Sequence, residues 1–578
     1  MAKYFDETER AILESISREN LDMVLKKFDT IDRLSGSAGE LEALQYLLGK
    51  LDEYGVPYRE YVFDSYLSDP RKAPLSVRQP DGATLEIPAK TRASSANCPD
   101  GVTGELVYAT GKGGIDFDTA AQINWTREQV EGKIIVSEGG GPQHMDKAIE
   151  LGAIALIHVW PSKEDVIHEM TASPVWGAPT PETHRLLPTI PEVSVKNSDG
   201  EMLIEMAKKG NARVRLTACT DSGVRKLHLA VAEIPGQSDD YVLLSGHLDS
   251  WYVGITDNAV GNALCLEMAR LFHEHRAELK RGIRIAWWPG HSNGRYAGST
   301  YYCDREFESL RKHCVAYINA DSPGSRFGVI PLVRSTLSEK PGYFEDAVRD
   351  VAGAEPVWDF PIRAGDNSMW GAFVPFHLML RDRPDAEHAG AKVGGSGGGW
   401  WWHSEQDTYD KADLDILVRD SRIFASFALR IMQSKVLPVD LVAMAEKMLE
   451  ILRGYETDLC DAFDLSSVIS KAEELRQAAE QVALKGAADS EALNALYKTA
   501  AGRLNALMYT TVSPYYQDVA YDLKAFHGFY RVCGITRENT SPEWIVFHQT
   551  DFLRQVNRFR TEVDQVIEDI NRYLEKAI

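Results

Sequence analysis

The 578-residue chain carries only seven cysteines (Cys98, Cys219, Cys265, Cys303, Cys314, Cys460 and Cys533), an odd number with no C-x-x-C pair. That scarcity excludes a disulfide framework and a thiolate zinc site, and fits free thiols in a reducing compartment. No stretch approaches the roughly 18 uninterrupted apolar residues of a membrane span. The opening "MAKYFDETERAILESISREN" lacks the apolar core and cleavage pattern of a signal peptide, so a soluble cytoplasmic protein is expected. Basic residues are outnumbered, with 63 Lys and Arg against 85 Asp and Glu, giving a net charge of -22. A phosphate backbone wants a basic face, so nucleic acid is excluded as a partner, and an anionic membrane surface is disfavoured. Acidic residues are themselves missing from one place: none lies between Trp288 and Asp304, around "WWPGHSNGRYAGS".

What is present reads as about three domains. "GELEALQYLLGKLDEYG" has helical spacing and stops at Gly55, and "PYREYVFDSYL" then alternates like a strand. From about Pro74 to Thr220, short apolar runs ("GELVYA", "GKIIVSEG", "AIALIHVW", "ARVRLTA") are separated by Gly, Pro and Asn, which implies a β-rich accessory block with few residues suited to chemistry. Beyond it strands and helices alternate through "YVLLSGH", "AVGNALCLEMARLFHEH", "RGIRIAWW", "CVAYINAD" and "HLMLRD". That alternation predicts an α/β sheet flanked by helices, with ligands at the carboxyl ends of its strands. After Pro438 the pattern is almost wholly helical and suits a bundle presenting a face to a second subunit. The expected boundaries are 1–72 and 221–437 for a discontinuous α/β domain, 73–220 for the β-rich block and 438–578 for the helices.

Four polar clusters fall where α/β proteins place ligands: "SGHLDSW" with His247 and Asp249, "TDNAVG" with Asp257, "INADSPG" with Asp321, and "WWWHSEQDTYDK" with His403. Two imidazoles and two carboxylates form a mixed N/O set that suits zinc and related divalent ions. Asp249 is placed to orient the His247 imidazole from behind. Singly, each has a plain structural role: Asp257 as a helix cap, Asp321 as a turn residue, either His as a buried side chain. The ordered series on one sheet favours the metal reading. Gly290-His291-Ser292-Asn293-Gly294 is also a literal G-x-S-x-G, and Ser292, Asp321 and His403 follow the Ser, acid, His order of a serine hydrolase. That alternative lacks an upstream H-G oxyanion segment and leaves His247 and Asp257 without roles.

The series resembles the M28 family of metallopeptidases. Its G-H-x-D-S, D-N-x-x-G, N-x-D and H-x-x-x-D-T motifs match Gly246 to Ser250, Asp257 to Gly261, Asn319 to Asp321 and His403 to Thr408, and "RLSGSAGE" resembles its R-x-x-G-S segment. The resemblance implies a zinc-peptidase-like mixed sheet, an inserted protease-associated-like domain, and a C-terminal helical dimerisation domain of the glutamate carboxypeptidase II and transferrin-receptor branch. It implies one or two Zn2+ ions, with His247 on one metal, His403 and Asp321 on the other, Asp257 bridging and Asp249 in support. The family then requires two adjacent glutamates, a general base and a ligand, and aligning on "AWWPG" puts His291 and Ser292 there. On this assignment the missing ligand weakens the His247 half more than the His403 half. His291 stands in as base or as ligand. The expected function is metal-dependent hydrolysis of an amide or peptide C–N bond in a small or peptide-like substrate. Lyase chemistry on the same scaffold and an inactive dimeric binding protein remain open.

For the substrate, Trp400, Trp401 and Trp402, after the glycine run from Gly394, are expected to line an apolar pocket. Arg381, with Arg363 and Arg383 on the same stretch, can clamp a carboxylate. "GDNSMWGAF", with Trp370, resembles the family's substrate-facing loop.

Overall fold

A computed structural model describes residues 3–78, 82–110, 123–210, 212–388, 399–486, 489–521 and 524–576. The glycines Gly394–Gly398 lie outside the described residues. The helix expected near the N-terminus spans Ala38–Tyr54; Ser37 caps it through the Glu40 N–H, and Gly55 ends it at φ 69°, where a side chain would be strained. Its apolar stripe, including Leu44, Leu47 and Leu51, is buried in the main core.

The principal sheet has eight strands and is mixed. Its order is Tyr58–Pro70, Thr220–Ile234, Arg281–Trp288, Ser238–His247, Cys314–Asn319, Phe376–Leu380, Leu332–Ser335 and Val357–Asp359. The four central strands, Arg281–Trp288 through Phe376–Leu380, are parallel to one another. Parallel strands buried on both faces read as continuous apolar runs, and Cys314–Asn319 and Phe376–Leu380 are buried throughout. Helices cover both faces. The helix Val260–Glu274 packs against the Ser238–His247 strand and is buried along most of its length. All four parallel strands end on the same edge, which brings His247, Pro289 onward, Asp321 and Arg381 together.

A second eight-stranded sheet is made from residues 75–218. It leaves the principal sheet at Pro70 and returns at Thr220, and those residues pair with each other at one end of a continuous antiparallel ladder that runs to Tyr58 and Ala232. The insertion therefore hangs from two adjacent strands. The C-terminal region is helical, with Leu441–Glu456, Ser466–Lys485, Ser490–Tyr509 and the 35-residue Pro542–Lys576. Among the described residues no helix is long and apolar enough to cross a membrane.

Candidate metal and catalytic site

The strand order decides which side chains meet. Ser245 pairs with Asn319 on the neighbouring parallel strand, so the turn after Asn319 places Asp321 beside His247. His247 Nε2 lies 2.9 Å from Asp257 Oδ1 and 3.7 Å from Asp321 Oδ1. Among the described residues, these three are the group whose ligand atoms all lie within 4.8 Å of one another, and all three are buried. Asp257 spans to the fourth residue: its Oδ2 lies 2.8 Å from His403 Nε2. This reverses the expected partition. Asp321 lies with His247 rather than with His403, so the three convergent donors gather on the His247 side. On the His403 side the same Oδ2 of Asp257 also accepts the indole N–H of Trp402 at 2.9 Å.

Electrostatics follow from proximity in a buried site. Burial opposes charge on His247, but Asp257 and Asp321 outweigh it and hold its pKa well above the ordinary imidazole value. Burial likewise works against ionising Asp257, yet His247 and His403 hold it well below the usual carboxylate range. His403 is pushed down by burial, against the pull of Asp257.

The supports come from three parts of the chain. Arg33, fully buried, donates to the carbonyls of Leu248 (3.0 Å), Val253 (2.5 Å) and Gly254 (3.0 Å), fixing the loop between His247 and Asp257. Asp407 accepts from the Thr256 N–H (2.9 Å), its hydroxyl (2.9 Å) and the Asp257 N–H (3.1 Å), clamping the segment that carries the shared carboxylate. His403 is held at Nδ1 by the Glu169 carbonyl, 2.9 Å away. Glu169 belongs to the inserted sheet region, which also lends Met170 and Thr171 to the pocket wall. The insertion thus reaches the site, although its composition gave little sign of chemistry.

Asp249 does not orient His247 with its carboxylate. The Nδ1 of His247 meets the backbone carbonyl of Asp249 at 2.8 Å. The Asp249 carboxylate turns the other way, accepting the N–H of His291 (2.8 Å) and of Ser292 (2.8 Å) and the hydroxyl of Ser35 (2.5 Å). Next to it, buried Glu40 accepts the Gly290 N–H at 3.2 Å. Three successive amides of the G-H-S turn are therefore held from behind by carboxylates.

That turn presents His291 to the pocket. Its ring stacks on His247, centroids 3.7 Å apart and 11° from parallel, and its Nδ1 lies 2.7 Å from Asp366 Oδ2. Asp366 is buried and also accepts the Ser299 hydroxyl at 2.8 Å. His291 is outside the converged ligand group. The serine arrangement is not assembled either: both nitrogens of His403 are engaged, one by Glu169 and one by Asp257.

The pocket is lined by residues that include Trp251, His291, Ser292, Arg295, Tyr296, Arg381 and Trp402. Three aromatic expectations change. Trp370 is core, stacked on His377 at 3.7 Å and packed against Tyr509, because the short turn Trp370–Ala372 abuts the helix Ser490–Tyr509. Trp401 is buried behind the wall, donating to Thr256 Oγ1 at 3.0 Å. Trp400 lies against Trp401 and the Lys411 ammonium rather than in the pocket. Of the arginines, Arg381 lines the pocket, whereas Arg363 sits over Trp176 with Asp518 at 3.6 Å and Arg383 is near Asp359 at 3.9 Å. Arg295 and Asp366 carried no sequence signal of their own, one a lone basic residue in a turn, the other part of a loop noted for its tryptophan.

With that geometry in place, residues 230–428 match the model of peptidase family M28. This segment is an M28 peptidase domain. Carboxypeptidase Q of Bos taurus is 26% identical over 300 residues, 47% of this chain and 58% of that protein, so the match spans less than two thirds of that relative's length. A probable glutamate carboxypeptidase of Zea mays is 24% identical over 500 residues, 73% of this chain and 67% of that protein. Among solved structures, BSAP, a zinc aminopeptidase from Bacillus subtilis, superposes with a TM-score of 0.53 at 18% identity, covering 71% of this chain and 94% of that one. The fold is therefore that of the M28 peptidases, with the His291-Ser292 pair standing in the M28 domain directly after the Arg281–Trp288 strand.

Proposed function

We propose that the chain is a metal-dependent hydrolase of an amide or peptide C–N bond in a small substrate, with His291 as its general base. The donor set fits a divalent metal such as zinc: one imidazole and two carboxylates, buried and convergent. His247, Asp257 and Asp321 would hold it, and when bound it would supply Lewis acidity toward a substrate carbonyl. His403 meets the other oxygen of Asp257 and lies outside this three-residue group, so we assign one ion to the group itself.

The observation that carries the reading is the His291–Asp366 contact beside that set. With its Nδ1–H held by a buried carboxylate, His291 keeps Nε2 to accept a proton, and Asp366 balances the charge that forms. The Glu40 and Asp249 carboxylates fix the backbone of the turn, so the imidazole is delivered in one position. Ser292 lines the pocket, but no hydrogen bond joins its hydroxyl to an imidazole among the described residues. We assign it no nucleophilic role.

The same reading includes an inserted domain of protease-associated type and a homodimer formed through the C-terminal helices, where Trp544, Val546, Phe547 and Leu553 are more than half exposed. The seven cysteines are all free, which supports a reducing, cytoplasmic setting. The test is turnover of a panel of N-acyl amides and dipeptides in heavy-oxygen water. Hydrolysis incorporates solvent oxygen into the acid product, and His291→Ala loses about a hundredfold to ten-thousandfold in kcat. Product formed without solvent oxygen would replace hydrolysis by elimination. Full activity of His291→Ala would remove the base assignment.

A further inference from the structure

The pocket contains a guanidinium whose donors the described residues leave largely unused. Arg295 lines it together with His291, Tyr296 and Asp321. The residue is 7% exposed, and its Nε is buried with no hydrogen-bond partner. Its Nη2 makes one long contact, donating to the Ala520 carbonyl at 3.5 Å, and its guanidinium sits 5.1 Å from the Tyr296 ring centre. Among the described residues it forms no ion pair. A buried guanidinium without a counter-charge costs stability, so a site that keeps one is built for an anion that arrives from outside.

Arg295 is also held firmly. Its backbone is left-handed (φ 48°), a conformation that favours glycine, and its carbonyl accepts the Gly177 N–H at 2.6 Å. Trp176 packs on Tyr296 with centroids 4.3 Å apart, and the Ala520 N–H donates to the Pro174 carbonyl at 2.7 Å. The insertion, the M28 domain and the C-terminal region thus meet at this one side chain.

We propose that the substrate carries an oxyanion, a carboxylate or a phosphate, that docks on Arg295 away from the bond held at His291 and Asp321. This rests on the pocket being the substrate site. A planar guanidinium pairs with either oxyanion through two parallel N–H donors, which a neutral amide does not match.

The experiment is isothermal titration of the full chain, chelator-treated and zinc-reloaded, with succinate, methyl phosphate and neutral succinamide. Succinate or methyl phosphate should bind the chelator-treated protein, the tighter of the two identifying the group, while succinamide should not bind. Arg295→Gln should weaken the anion about tenfold or more, and Arg295→Lys, which keeps the charge, should weaken it less. Zinc content should be unchanged in both variants. Absence of anion binding, equal binding of succinamide, or wild-type affinity in Arg295→Gln would overturn the proposal. If instead the wild-type chain takes up no zinc, the metal reading fails while the anion titrations still report on Arg295.

Discussion

Asp249→Asn should loosen the turn that carries His291. In the native arrangement the two carboxylate oxygens accept the His291 and Ser292 amides and the Ser35 hydroxyl, all in a buried setting. An asparagine of the same shape can still accept one amide, but its NH2 group faces the other donors. One buried N–H then loses its partner, costing about 1–3 kcal/mol, and the surviving bond falls from charge-assisted to neutral, costing about 1 kcal/mol more. The sum, about 2–4 kcal/mol, corresponds to roughly 30- to 700-fold more frequent local opening. Amide hydrogen exchange resolved at His291 and Ser292 reads that opening directly, with the buried strand Cys314–Asn319 as internal control. Unchanged exchange at His291 and Ser292 would refute the idea that Asp249 acts on the turn rather than on the His247 ring.

Other expectations follow from the same contacts. A serine-directed phosphonate should leave Ser292 unlabelled, and Ser292→Ala should retain far more turnover than His291→Ala; labelling with loss of activity would reverse the ranking. Burial pushes the Glu339 carboxyl up to about 8, so between the unfolded value of 4.5 and that point the native state holds a proton the unfolded chain has released. Stability should therefore fall as pH rises through that window, and Glu339→Gln should flatten the slope of thermal unfolding measured from pH 5 to 8. Light scattering on a sizing column should give a dimer that Trp544→Lys with Phe547→Lys converts to a monomer; a wild-type monomer at micromolar concentration would remove the dimer proposal.

The α/β alternation was legible because buried parallel strands and amphipathic helices leave different periodicities, and the turns after strands marked His247, Asp257, Asp321 and His403. Which of these meet was not legible. That depends on the Cys314–Asn319 strand lying directly beside Ser238–His247, and strand order leaves no trace in local sequence. Asp249 misled for a related reason: two residues past a strand end, its side chain can face the imidazole or the next turn, and the three donors waiting on the far side decide. Trp370 sits in a loop that looks substrate-facing, yet His377 and Tyr509, distant in the chain, enclose it. Arg295 becomes visible only when its contacts are counted and, among the described residues, found to include no ion pair.

The central claim is a metal held by His247, Asp257 and Asp321, with His403 outside the main ligand group. Elemental analysis of purified wild-type, His247→Ala and His403→Ala proteins after zinc loading and gel filtration tests it most directly. The account predicts about one zinc per wild-type chain, near-complete loss in His247→Ala, and retention of most of it in His403→Ala. Equal loss in both variants, or about two ions in the wild type, would contradict it.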